Sequence, residues 1–291
     1  MISESIVIKG YVVCLMLFSS LLNAFPQTYA GKIIDRDSRQ AVAFANIGIV
    51  NRNIGTVSDA SGNFEIVLSS SHDKDTLRIS CIGYLDKQYL IRDLKNESRV
   101  GEEIRVELTS ISYDLDEVLI RPEKTKVFTL GYPCDSNSAY GNAFYSSELG
   151  TEMGVVMKLP RKKEKAYLRS FRFYVGEFTF DKFPVRMNIY GLRDGIPDKN
   201  ILKEPVFIEI DSAGEYVLDL GKQNITVYGD FFISLEYYRI PDNTEGKLVF
   251  CAVHGASRKK GESYYKWTSQ GNWQKEMFDH VGFSVEVECR K

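Results

Sequence analysis

The sequence predicts an all-β protein built from two consecutive antiparallel sandwiches, and three observations carry that prediction. Apolar and polar residues alternate along one segment after another, as expected for strands with one buried face. Clusters of Ser, Asp, Asn, Gly and Pro separate these segments at short spacing. The 291 residues include 17 Tyr and 17 Phe, which favour pleated, half-buried surfaces. No helix-period segment of useful length interrupts the pattern. Short strands joined by polar turns fit sandwiches better than a parallel sheet. At this length, with 44% apolar residues, there is room for two packed cores.

The N-terminus comes first. Tyr11 to Phe25 is an apolar run broken only by Ser19, Ser20 and Asn23 and preceded by Lys9. That layout is a secretory signal peptide, shorter than the roughly 20 apolar residues of a membrane span. Residues 1–30 are read as this leader, with cleavage in Thr28-Tyr-Ala30 or the competing Leu22-Asn-Ala24. The expected protein is exported to the periplasm, the outer-membrane surface or the cell surface, with no transmembrane segment after signal removal. Cys14 lacks the small residues of a lipobox. Cys81, Cys134, Cys251 and Cys289 follow the leader without CxxC spacing, so a structural zinc site is not indicated. Their pairing stays open, because a disulfide requires a Cα separation that sequence does not give.

Residues 31–121 form the first expected domain. Ala45, Ile47 and Ile49 share one strand face, followed by Phe64, Ile66 and Leu68, then Leu77, Ile79 and Cys81. Cys81 and Cys289 are expected to point inward, Cys81 as a free, unreactive thiol. The last strand places Ile104, Val106 and Leu108 inward and Glu103, Arg105 and Glu107 outward. The Asp59-x-x-Gly62-Asn63 loop lacks the further acidic ligands of an EF-hand and reads as a tight turn.

Several phrases of this domain are specific. They are Gly31 with Asp35, Phe44-Ala-Asn-Ile47, Gly55-Thr56 with Asp59, Gly62 and Phe64, Ser80 with Gly83-Tyr84, and Leu115-Asp-Glu-Val118. Together they resemble the carboxypeptidase-regulatory-like domain of exported Bacteroidetes proteins, over about a third of the chain. The resemblance implies an immunoglobulin-like, transthyretin-like sandwich without catalytic residues of its own. Such domains also precede TonB-dependent receptors, but only about 170 residues follow here, too few for that barrel.

Residues 122–147 carry Gly, Pro, Ser and Asn in a looser pattern and are read as a linker leading into the second domain, 148–291. There the stripes return: Phe171, Phe173 and Val175; Val185, Met187 and Ile189; Val206, Ile208 and Ile210; Tyr216, Leu218 and Leu220. Phe231, Ile233, Leu235 and Tyr237 form the most apolar strand, before Leu248, Phe250 and Ala252, and then Phe283, Val285, Val287 and Cys289. A jelly roll is the preferred topology. The stretch resembles an uncharacterised companion of regulatory-like domains in secreted Bacteroidetes proteins, which brings no activity with it.

No catalytic residues, metal ligands or cofactor are nominated. His72, His254 and His280 show no metal-binding spacing, and no P-loop, dinucleotide fingerprint or Gly-x-Ser-x-Gly elbow occurs. The net charge of -2 argues against a nucleic-acid partner. Carboxylates mostly alternate onto solvent faces, as Glu286 and Glu288 do. The suggestive cluster is Tyr264, Trp267 and Trp273, whose rings suit the apolar face of a sugar. Against it stands core packing of Tyr265 and Trp267, with Trp273 pinning a turn. The expected function is therefore a non-catalytic exported binding or assembly protein engaging a glycan or an outer-membrane partner. The alternative is a glycan-active hydrolase or lyase with an unidentified carboxylate pair.

Overall fold

The computed structural model describes residues 26–97, 103–111, 124–138, 140–144, 149–242, 246–254, 261–277 and 279–290. The leader's apolar run and the Leu115-Asp-Glu-Val118 phrase lie outside these residues.

The first unit contains β1 (Gln27–Asp35), β2 (Asn46–Ile49), β3 (Gly55–Val57) and β4 (Asn63–Leu68). It continues with β5 (Thr76–Ser80), β6 (Lys87–Leu90), a two-turn helix α1 (Ile91–Glu97) and β7 (Ile104–Leu108). One sheet has the order β4-β1-β7 and the other β3-β2-β5-β6. Ile33, Ala45, Ile47, Phe64, Ile66, Leu77, Ile79 and Val106 are buried in one cluster between them. The faces read from alternation are therefore the faces that pack. Two features depart from the sequence reading. β1 and β7 are parallel, and α1 adds Ile91 and Leu94 to the core at helical i, i+3 spacing. The Asp59 loop is the expected turn: Asp59 Oδ1 accepts from Ser61 N and Asn63 N, both at 2.8 Å, and Gly62 has φ +79°.

Two boundaries need correction. Gln27–Ala30, read as the tail of the leader, are strand residues paired with Leu68–Glu65. The stretch 122–147, read as a linker and the entry of the second domain, supplies β8 (Thr125–Gly131) and β9 (Tyr140–Phe144) to the second unit, so the entry begins earlier than a linker reading allows. Neither strand is long enough or regular enough for its alternation to stand out, and the pairing comes from strands more than a hundred residues away.

The second unit continues with β10 (Glu152–Met157), β11 (Lys165–Phe178), β12 (Phe183–Arg193), β13 (Ile196–Asn200) and β14 (Val206–Ile210). Next come β15 (Gly214–Asp219), β16 (Thr226–Tyr228), β17 (Phe231–Tyr237) and β18 (Leu248–His254). Finally there are β19 (Ser263–Lys266), β20 (Gln274–Lys275), β21 (Asp279–Val281) and β22 (Phe283–Arg290). A seven-stranded sheet runs β13-β12-β17-β10-β19-β20, with β14 also on β12. An eight-stranded sheet runs β21-β18-β11-β22-β8, joined by β15, β16 and β9. Between them lies the larger core, centred on Phe171, Phe173, Phe183, Phe231, Phe250 and Phe283. Cys289 is buried there, and Cys134 is disulfide-bonded to Cys251. His280 is also internal, stacked on Tyr132 at 4.5 Å.

What alternation did not reveal is that the seven-stranded sheet is covered on its outer face too. Every residue of β17 is buried, in-facing and out-facing alike. The cover is the first unit together with the loop Thr268–Trp273. That loop lies against β2 and β3, where Gly48 and Gly55 provide the space. A Cβ would sit 2.2 Å and 2.3 Å, respectively, from Ser269 O. Asn51 N donates to Gln270 O at 3.1 Å, and Gln270 Nε2 donates to Ser80 Oγ at 2.8 Å.

Candidate functional site

Along β12, Val185, Met187 and Ile189 enter the core, so Arg186, Asn188 and Tyr190 must project from the opposite face. By the same period, β17 projects Phe232, Ser234 and Glu236, β10 projects Glu152, and β19 projects Tyr264 and Lys266. The register places them side by side: Arg186 faces Glu236, Asn188 faces Ser234, and Glu152 lies between Glu236 and Lys266.

These side chains form one buried charged network. Glu152 and Glu236 have no exposed surface, and Arg186 and Lys266 retain 3% and 6%. Arg186 donates to Glu236 Oε2 through Nε at 3.1 Å and Nη2 at 2.8 Å. Its Nη1 reaches Phe44 O at 2.7 Å, and Nη2 reaches Asn46 Oδ1 at 3.0 Å, tying the two units together. Asn188 Nδ2 bridges Glu152 Oε1 at 3.0 Å and Glu236 Oε2 at 2.7 Å. Glu152 also accepts from Tyr190 OH at 3.1 Å, Ser234 Oγ and Lys266 Nζ at 2.7 Å. Burial pushes Glu236 upward, but Arg186 and then Lys266 outweigh it and hold the carboxyl below its ordinary range. Burial, with Glu152 and Glu236 behind it, drives the Tyr190 hydroxyl well above its ordinary value. The expectation that carboxylates lie on solvent faces fails for Glu152 and Glu236, because the first unit covers their face.

Above this network lies a cavity of about 470 Å³ between the two units. From the first unit it receives Asn46, Asn51, Arg78 and the loop Ser80–Asp86. From the second it receives Arg186, Asn188, Tyr190, Asp198–Asn200, Lys266, Gln270 and Trp273. Neither Glu152 nor Glu236 lines it. Carboxamides share its polar wall with charged side chains, and each carboxamide carries both donors and an acceptor. Cys81 stands at its edge, half-buried rather than fully internal, and burial raises its thiol to about 11. A thiol so protonated is a poor nucleophile.

The three aromatic residues expected as a sugar platform are divided. Trp273 is half-buried on the cavity wall, with Lys266 Nζ 4.7 Å from its ring centre. Phe232 and Tyr190 meet Trp273 edge-on at 5.0 Å and 5.8 Å. Tyr264 is buried beneath this group, against Phe232. Trp267 lies on the other side of the strand, against Tyr265 at 5.2 Å, and is 45% exposed. They therefore do not make one surface. Sequence reasoning missed Arg186, Asn188, Asn200, Glu236 and the contribution of the first unit. The available signal was the polar set Arg-x-Asn on β12 opposite Ser-x-Glu on β17, inside otherwise apolar strands.

The geometry defines a two-sandwich β protein with a polar cleft at the junction. Within it, residues 29–120 match the CarboxypepD_reg-like domain, so the first unit is a domain of that family. No curated protein matches the chain. Among solved structures, a chain in "Structure of infectious bursal disease virus Gx strain" shows 9% identity over 90% of this chain, with TM-score 0.21. A chain in "Crystal structure of infectious bursal disease virus VP2 subviral particle" shows 8% identity over the same share, also with TM-score 0.21. This chain covers 64% of the length of each viral chain.

Proposed function

We propose that the chain is a non-catalytic exported binding protein of the cell envelope, of the kind that carries regulatory-like domains in Bacteroidetes. Its ligand is a glycan held in the cleft between a regulatory-like sandwich and a jelly-roll-like second sandwich. The observation that carries this reading is the cleft itself: about 470 Å³, with Trp273 and Tyr190 beside Asn46, Asn51, Asn188 and Gln270. An aromatic face takes the C–H side of a sugar ring, and carboxamides match hydroxyls that both donate and accept. The hydrolase alternative has less support, because Glu152 and Glu236 are consumed in ion pairs behind the cavity wall. The Cys134–Cys251 disulfide fits an oxidising compartment. Strand pairing from Gln27 favours signal cleavage after Ala24 over Ala30, which would cut inside β1.

The test is a glycan array with the mature protein, followed by calorimetry with Trp273→Ala. Binding lost in Trp273→Ala and kept in Trp267→Ala supports the cleft. Binding that follows Trp267 moves the site to the outer surface.

A further inference from the structure

The charges around the cleft are layered. Glu152 and Glu236 lie behind its wall, while their partners Lys266 and Arg186 stand between them and the cavity. The two acids that do line it are each held by an arginine. Asp86 accepts from Arg78 Nε at 3.1 Å, and Asp198 accepts from Arg193 Nη2 at 2.7 Å. Lys199 also lines the cavity and has no hydrogen-bond or ion-pair partner among the described residues.

A ligand therefore meets the cationic end of two buried ion pairs and an uncommitted lysine, with every lining carboxylate already neutralised. Lys266 retains N–H groups beyond its bond to Glu152, because an ammonium carries three. Low local dielectric keeps such oriented pairs from being screened as surface charges are. Acceptors with negative charge are the groups this wall stabilises.

We propose that the cleft is selective for an acidic glycan, one bearing carboxylate or sulfate groups, with a sugar ring against Trp273 and the acid toward Lys199 and Lys266. This rests on the glycan reading above and names its substrate class. Lys199 is the specificity-determining residue open to test, since it is exposed and makes no structural contact that its replacement would break.

The experiment uses the full mature chain. Tetrasaccharides of galacturonate, mannuronate and hyaluronate are each titrated beside the methyl-esterified form of the same sugar, with a sulfated heparin tetrasaccharide as a separate arm. At least one acid form should bind tenfold or more tighter than its ester. Raising NaCl from about 20 mM to about 500 mM should weaken the acid form and leave the ester unchanged. Lys199→Gln should cost the acid form severalfold and Lys199→Glu more, with unchanged thermal midpoints. The uronate and sulfate arms separate the two sources of charge. Equal binding of acid and ester, or acid binding indifferent to Lys199→Glu and salt, overturns the charge assignment and leaves the glycan reading standing. Binding of esters and neutral glycans alone overturns it equally. No binding across these sugars and the neutral array overturns both.

Discussion

Arg186 offers the most demanding test of how the molecule is joined. Its guanidinium is spent on Glu236 within the second unit and on Phe44 O and Asn46 Oδ1 of the first. Arg186→Ala leaves Glu236, which has no exposed surface, with Lys266 as a distant countercharge and Asn188 as its remaining donor. Removing one partner of a buried pair costs about 3–5 kcal/mol, a large part of the ~5–15 kcal/mol that holds a typical domain folded. Arg186→Met with Glu236→Leu should cost less than Arg186→Ala, because no charge is then stranded.

The pH dependence distinguishes this cause from simple loss of packing. In the native protein Glu236 is held below its ordinary value of 4.5. Its contribution is therefore complete above the unfolded value and is lost as pH falls through the lower folded one. In Arg186→Ala, burial dominates and the folded pKa rises. The sign inverts: the carboxyl's contribution is complete below the unfolded value and is lost as pH rises through the raised folded one. Urea unfolding followed by tryptophan fluorescence between about pH 3 and 8 reads both effects. A loss below about 1 kcal/mol, or an unchanged acid limb in the variant, would refute the reasoning.

Three further outcomes are expected. Tyr264→Ala should cost about 3–5 kcal/mol as a buried aromatic truncation, whereas Trp267→Ala should cost about 1 kcal/mol, its aromatic contact with Tyr265, as measured by thermal unfolding. Cys81 should alkylate slowly at neutral pH and accelerate as pH climbs toward its raised value of about 11, in a timed iodoacetamide assay. Reducing Cys134–Cys251 opens a separation of 117 residues and should lower stability by about 2–5 kcal/mol, measured by unfolding with and without reductant.

The inward faces of β2, β4, β5 and β7, and of β11, β12, β17 and β22, were readable because a period of two assigns alternate residues to one side wherever that side is buried. Turn chemistry around Asp59 was equally local, since the carboxylate binds its own next residues. The helix α1 escaped notice because seven residues give too few turns for a period to register. β8 and β9 escaped because partners distant in sequence, rather than their own composition, make them strands.

The cleft was illegible for a different reason. Alternation says that Arg186, Asn188, Ser234 and Glu236 leave the core of the second sandwich, but it does not say what they meet there. Arg186 meets Phe44 O and Asn46 Oδ1 of the first unit, some 140 residues earlier, while Asn188, Ser234 and Glu236 are tied to Glu152 and Arg186 beneath it. The sequence by itself determined two sandwiches and the residues inside each. Tertiary packing alone decided that a face patterned for solvent would be sealed, since a burial period describes one strand and coverage depends on a second domain.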